Sequence, residues 1–188
     1  MHTDTATPEF VDLPARAVLS VDGTGAPEAP AFTGAIRALS ATRAALGARE
    51  DVPLEGSYSQ DGDPLRFDLD QPDGWHWRLS VPAPPHATAT AVETAGCRFG
   101  APVHLRTPPA QQVARLLHHG PYADEGPSLA TLYSFVERAG LVPAGPHTEV
   151  YLTDPSTTPP AQLRTFLQVP VSELASEPMS QRLREVLR

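Results

Sequence analysis

The sequence predicts an α+β fold of two β-α-β-β halves related by a pseudo-twofold, which form one antiparallel sheet with two helices on one face and a concave surface on the other. Three observations carry this expectation. A segment ending in glycine occurs twice, at residues 15–23 and 112–120, and a shift of 97 carries Gly23 onto Gly120, Leu19 onto Leu116 and Ala17 onto Ala114. The same shift carries Pro30 onto Pro127, each just ahead of an apolar stripe at helical spacing. Two extended segments then follow each stripe.

Residues 15–23 and 112–120 read as short strands that end in a glycine turn. Phe32, Ala35, Ile36 and Leu39 stand at i, i+3, i+4 and i+7, as do Leu129, Leu132, Tyr133 and Val136. A proline suits the first turn of each helix, because its missing N–H would have no partner there. Gly140 ends the second helix, where a left-handed residue is expected. Residues 52–58 and 75–81 alternate as strands after the first helix, and 148–153 and 163–169 after the second. Pro53 and Gly56 weaken that pattern in the first of these. Residues 59–74, rich in Asp, Gly and Pro, read as a loop, and 82–90 begin the crossover between halves. One helix cannot cover a half-sheet comfortably, so the halves are expected side by side as a single domain over 1–171, built from about 14–82 and 111–171. Met179, Leu183, Val186 and Leu187 form a weaker stripe, read as a helical tail within 172–188.

The bulk properties narrow the function classes. A chain of 188 residues with 40% hydrophobic and 19% charged content fits an ordinary globular domain. No apolar run is long enough to span a membrane, and Met1–Thr5 has no basic segment leading into an apolar one. With a lone Cys97 that cannot form an internal disulfide, the expected location is the cytoplasm. The net charge is −8, Lys and Asn are absent, and the arginines are scattered singly. Phosphate backbones are bound by clustered cations, so neither nucleic acid nor a membrane is the expected partner. A small molecule is, with the protein a monomer or weak dimer. The single Ile and the 22 prolines fit a GC-rich coding bias and need not mean disorder.

Four short segments add a family resemblance. Residues 117–128, LHHGPYADEGPS, look like the HxGPY segment of GyrI-like domains, and residues 147–155, HTEVYLTDP, like that family's HHEIYLxDP strand and turn. PLEG at 53–56 and WHW at 75–77 are similar to the stand-alone branch, and all four occur in the family's order. The resemblance implies a tandem β-α-β-β fold with a ligand pocket at the pseudo-twofold cleft. Members sense or sequester drugs, often fused to DNA-binding domains, or bind gyrase. The stand-alone branch includes cyclopropanoid cyclohydrolases, which hydrolyse cyclopropane-bearing DNA-alkylating natural products and so give self-protection. No helix-turn-helix pattern precedes Pro14, so the regulator form is not expected. Three positions depart from the pattern: Thr148 replaces the second His of HHE, residues 168–171 read QVPV for RQPV, and Ser57-Tyr58 replaces a Trp pair. The last two change the pocket's shape.

Glu149 and Tyr151 are two residues apart on a strand, so they share a face, with Val150 and Leu152 on the other. The apolar pair belongs under a helix, so Glu149 and Tyr151 are expected to point into the cleft. A carboxylate among aromatic walls is a candidate general base, its pKa raised by desolvation, or a partner for a cationic ligand. A solvated strand glutamate is the bland alternative. Trp75 and Trp77 share a face and read as pocket wall, with core as the rival. Glu55 is a second candidate acid on the matching strand, or else an exposed edge carboxylate. His118 and His119 point to opposite faces, so only one can line the cleft, and His118 is taken as the ligand-binding one. Tyr122 offers a hydroxyl at a strand end, and Tyr58 and His147 complete the expected ligand-binding set.

A metal site would use His147 and Glu149 with His118 or His104, but no HExxH motif or cysteine cluster supports one, and no cofactor is expected. Cys97 has no evident histidine partner for nucleophilic work, and residues 22–25, DGTG, lack the lysine of a phosphate loop. Hydrolysis of a reactive small molecule and its simple capture both remain open, since each uses an acid in an aromatic cleft. The charge argument predicts no salt-dependent mobility shift of duplex DNA at about micromolar protein, and a clear shift would refute it.

Overall fold

The computed structural model describes residues 7–27, 29–48, 50–60 and 74–174. The first half runs β2 (Val18–Thr24), α1 (Pro30–Ala45), β3 (Leu54–Gln60) and β4 (Trp75–Pro82). The second runs β6 (Gln111–His119), α3 (Gly126–Arg138), β8 (His147–Tyr151) and β9 (Arg164–Glu173). The β-α-β-β unit thus occurs twice, as the shift of 97 implied. Three strands and a helix are added: β1 (Glu9–Leu13), α2 (Ala89–Gly96), β5 (His104–Arg106) and β7 (Leu141–Pro143).

All pairings are antiparallel, and the strand order is β1-β6-β9-β8-β3-β4-β2-β5, with β7 on the end of β9. The two halves meet at the centre through β3 and β8, from Leu54↔Tyr151 to Tyr58↔His147. They also exchange strands. β1, which precedes the first half, pairs with β6 of the second, and β5, which precedes the second half, pairs with β2 of the first.

Each helix is built as the pattern required. Pro30 opens α1, whose buried face is Phe32, Ala35, Ala38, Leu39 and Thr42. Pro127 opens α3, which buries Leu129, Leu132 and Val136. Gly140, at φ +73, ends it in the left-handed conformation that glycine adopts without strain. Helix α1 packs over β2 and β4, and α3 over β6 and β9. This gives two apolar clusters, one around Leu19, Leu39, Leu79 and Val92, the other around Leu116, Leu132, Leu167 and Val169. The central pair β3–β8 lies between them. Arg43, buried near the end of α1, binds the carbonyls of Pro82 and Glu50, tying the helix to the end of β4.

The crossover holds a helix that the apolar pattern did not reveal. α2 is short, with Thr88 capping Ala91 N–H, and buries only Val92, Ala95 and Gly96 while packing on α1 and β5. Gly23 does not turn the chain as expected. β2 continues through Thr24, and Gly25, at φ +91, makes the turn. β9 runs through Glu173, so the first residues of the expected tail are strand; Met179, Leu183, Val186 and Leu187 lie outside the described residues.

Gly23 is instead where Trp77 lies down: a Cβ there would stand 2.1 Å from the indole ring. Trp77 also meets Phe32 of α1 edge-on, with ring centroids 5.2 Å apart. Gly23→Ala should therefore displace the indole and destabilise the protein by about 1–3 kcal/mol. Gly34→Ala, with open space around the added carbon, should stabilise α1 by up to about 1 kcal/mol. Urea denaturation of both variants checks the pair; equal and small effects would mean that Trp77 is not wedged against Gly23.

Candidate functional site

Cross-strand partners share a sheet face, so the registers define what stands on the helix side. One row crosses it as Val21, Leu79, Gly56, Glu149, Leu167 and Leu116. The row on one side is Gly23, Trp77, Tyr58 and His147; on the other are Leu54, Tyr151, Thr165 and His118. Leu79 and Leu167 belong to the two apolar clusters, so Glu149 stands between the helices, on the face they cover. This corrects the expectation that Val150 would lie under a helix. Val150 faces the open side, in line with Glu55 and Phe166. Period-2 alternation divides a strand into two faces without saying which one meets the helices.

Gly56 is directly opposite Glu149, and its missing side chain gives the site its shape. A Cβ there would lie 2.5 Å from the Tyr58 hydroxyl, so the ring lies across the glycine. The Tyr58 hydroxyl reaches that of Tyr151 at 2.5 Å, and Tyr151 donates to Glu149 Oε2 at 2.7 Å. Tyr122, on the turn before α3, meets the Tyr151 ring edge-on at 5.5 Å, and both tyrosines are partly exposed. Trp75 packs on Tyr58 at 5.6 Å and borders the site through it.

The residue that the sequence reading missed is Glu125. It sits at the start of α3, is 1% exposed, and its carboxyl is in hydrogen-bond contact with Glu149. Two carboxyls buried together cannot both ionise cheaply. Burial, the charge of Glu149 and that hydrogen bond push Glu125 up to about 9. A helix N-terminus favours a carboxylate, but only by roughly 0.3–1 kcal/mol, so burial and the neighbouring acid win. Tyr151 donates to Glu149, and Glu125, with its raised value, keeps its proton at neutral pH. Burial and the same acids raise Tyr122 to about 12 and hold Tyr58 and Tyr151 well above the usual phenol range. All three hydroxyls therefore keep their hydrogens at neutral pH.

His147 is buried with Nε2 3.4 Å from Glu149 Oε1. Glu125, His147 and Glu149 each offer one ligand atom, all within 4.8 Å of one another. Such a donor set fits a divalent cation as well as a proton, with Glu125 rather than His118 or His104 as third member. His118 is occupied otherwise: Nε2 donates to the Pro121 carbonyl at 3.2 Å and Nδ1 meets Ser128 Oγ at 2.9 Å, tying β6 to α3.

The other expected residues are not brought here. Trp77 is core, between Gly23 and Phe32. Glu55 is on the opposite sheet face from Glu149, ion-paired with Arg16. The pseudo-symmetry that suggested Glu55 matched strands correctly but not faces. Asp154, exposed on the turn after β8, accepts from the N–H and hydroxyl of Ser156; these bonds hold its carboxyl below the usual range and shape the DP turn.

With this geometry, a β-α-β-β tandem and a buried acid–tyrosine cluster between its helices, the chain is a small-molecule-binding α+β domain. It belongs to the GyrI-like small molecule binding domain family, whose model matches residues 6–172. Solved structures agree. The fold is similar to an uncharacterized conserved protein from Listeria innocua, with TM-score 0.77 and 26% identity over 91% of this chain and 95% of that one. It is also similar to a protein described as a hydrolase from Listeria innocua, with TM-score 0.72 and 24% identity over 91% and 94%. The C-terminal domain of EcmrR matches at TM-score 0.64 and 14% identity over 90% and 99%. No curated protein sequence matches this chain. Among the described residues, no helix is long and apolar enough to cross a membrane.

The acid pair makes stability depend on pH. Glu125 titrates at about 9 in the folded protein and near 4.5 when unfolded, so the folded state holds the extra proton between those values. Its contribution is complete below about pH 4.5 and is lost as pH rises towards 9. Thermal melts across this range should show the wild type losing stability relative to Glu125→Gln. Parallel curves would remove the shared proton from the account.

Proposed function

We propose that the buried acid–tyrosine cluster between the helices is where the protein takes a flat, largely apolar small molecule and hydrolyses a strained electrophilic ring in it. The substrate class is a cyclopropane conjugated to a dienone, as in DNA-alkylating natural products, and its destruction would protect the cell. The observation that carries this reading is the pairing of a protonated Glu125 with a hydrogen-bonded Glu149 among tyrosines. A ring-opening hydration needs one base and one acid at once, and this pair supplies both.

Glu149 takes a proton from water as the water oxygen bonds to a ring carbon. The cyclopropane C–C bond breaks and its electron pair moves into the dienone, which becomes a phenol as its oxygen is protonated. Glu125, Tyr122 or Tyr151 gives that proton, each in its protonated form at neutral pH. Tyr58 and Trp75 form the wall, and Gly56 positions Tyr58. Glu55 has no part in this step.

Capture without turnover is the second reading, since a buried carboxylate pair can also exchange its proton for an organic cation. Incubation with a panel of cyclopropane alkylators, followed by mass analysis, tests the choice. Hydrolysis predicts a gain of one water, slowed about 10²–10⁴-fold in Glu149→Gln and in Glu125→Gln with binding retained, and unchanged in Glu55→Gln. Ligand recovered intact across the panel would favour capture; turnover in both acid variants would leave an enzyme without this mechanism.

A further inference from the structure

The open face of the sheet carries a cleft with a different chemistry. Two linkers form its rims: residues 14–17, between β1 and β2, and residues 107–110, between β5 and β6. These are the segments that lead out of the exchanged strands, so the strand exchange itself raises the walls. Pro14, Pro108, Pro109, Pro146 and Pro170 line the cavity of about 220 Å³. Prolines lose little freedom on binding, which makes such walls preorganised.

The floor is a polar row running straight across the sheet: Arg78, Ser57, Thr148 and Gln168 are successive cross-strand partners. Ser57 Oγ and Thr148 Oγ1 lie 2.8 Å apart at the pseudo-twofold. One hydroxyl donates to the other, so the acceptor's own hydrogen is left for a further partner.

Arginine dominates the charge. Among the described residues, Arg16, Arg78 and Arg106 line the cleft against a single acid, Glu55, in a protein of net charge −8. Arg16 pairs with Glu55, while Arg78 Nε and Arg106 Nη2 meet Asp22, which does not line the cavity. Partial burial pulls the Asp22 carboxyl up, but the two guanidiniums outweigh it and hold the group below its ordinary value. Each guanidinium has five N–H donors, so each keeps several for a ligand.

We propose that this open-face cleft, with Arg16, Arg78 and Arg106 around the Ser57–Thr148 floor, is a second binding site for a small oxyanion-bearing molecule, a carboxylate or a phosphate. The guanidinium forks match either group in shape and charge. The site is independent of the reading given for the other face, because β3 and β8 separate the two.

Calorimetric titration of the full chain with inorganic phosphate and with succinate, at low ionic strength, tests the proposal and separates the two chemistries. One anion should bind at one per chain and weaken with added salt. Arg106→Ala and Arg16→Ala should each weaken it at least about ten-fold, as expected when a charged hydrogen bond is lost. Thr148→Val should weaken it with the charge unchanged, and Glu125→Gln, on the opposite face, should leave it intact. Binding of neither anion would overturn the proposal, as would an affinity unchanged in the Arg16→Ala/Arg106→Ala double variant with circular dichroism confirming its fold.

Discussion

The pairing of β3 with β8 is the constraint from which the rest of the molecule follows. Each half carries one helix, and each helix covers the outer strands of its own half, so the two apolar clusters form side by side. The helices pack mainly on β2, β4, β6 and β9 rather than on the strands that join the halves. There polar side chains gather on the helix face between the two clusters. The register then decides which residues meet: Gly56 falls opposite Glu149, and the space of the missing side chain is taken by the Tyr58 ring.

Burying two acids at that point is electrostatically costly, and the surroundings show how the cost is limited. No arginine is hydrogen-bonded or ion-paired to Glu125 or Glu149 in the described structure; their contacts are each other, Tyr151 and His147. The pair is relieved by retaining a proton on Glu125, which a salt bridge would have made unnecessary. A pair short of one positive charge can hold a proton, give it to a substrate, or exchange it for a cation.

The same central strands present an opposite character on their other face. Successive residues point up and down, so Glu149 and Tyr151 alternate with Thr148 and Val150, and Gly56 and Tyr58 with Glu55 and Ser57. One face is acidic, tyrosine-walled and covered by helices. The other is rimmed by proline and lined by arginine. The sheet holds the two chemistries apart by one backbone thickness, and a protein with strong overall negative charge keeps a local cationic cleft.

Much of this was legible in the linear chain. The twofold repeat, the helix starts at Pro30 and Pro127, the stop at Gly140 and the pairing of Glu149 with Tyr151 on one face are all periodicity and local conformation, which sequence encodes directly. The four family segments also carried the family, whose model matches residues 6–172. What the chain could not state is which face of each strand meets the helices, because alternation is symmetric until a helix docks. For that reason Val150 was placed on the wrong side, and Glu55 was matched to a site it does not share. Trp77 reads from the sequence as pocket wall, and only Gly23 and Phe32 brought against it make it core. Glu125 carried no signal of its own: a lone acid at a helix start is ordinary. Only the docking of α3 over β6 and β9 brings the carboxyl at its start to Glu149, and their interaction arises from proximity, which no residue possesses by itself.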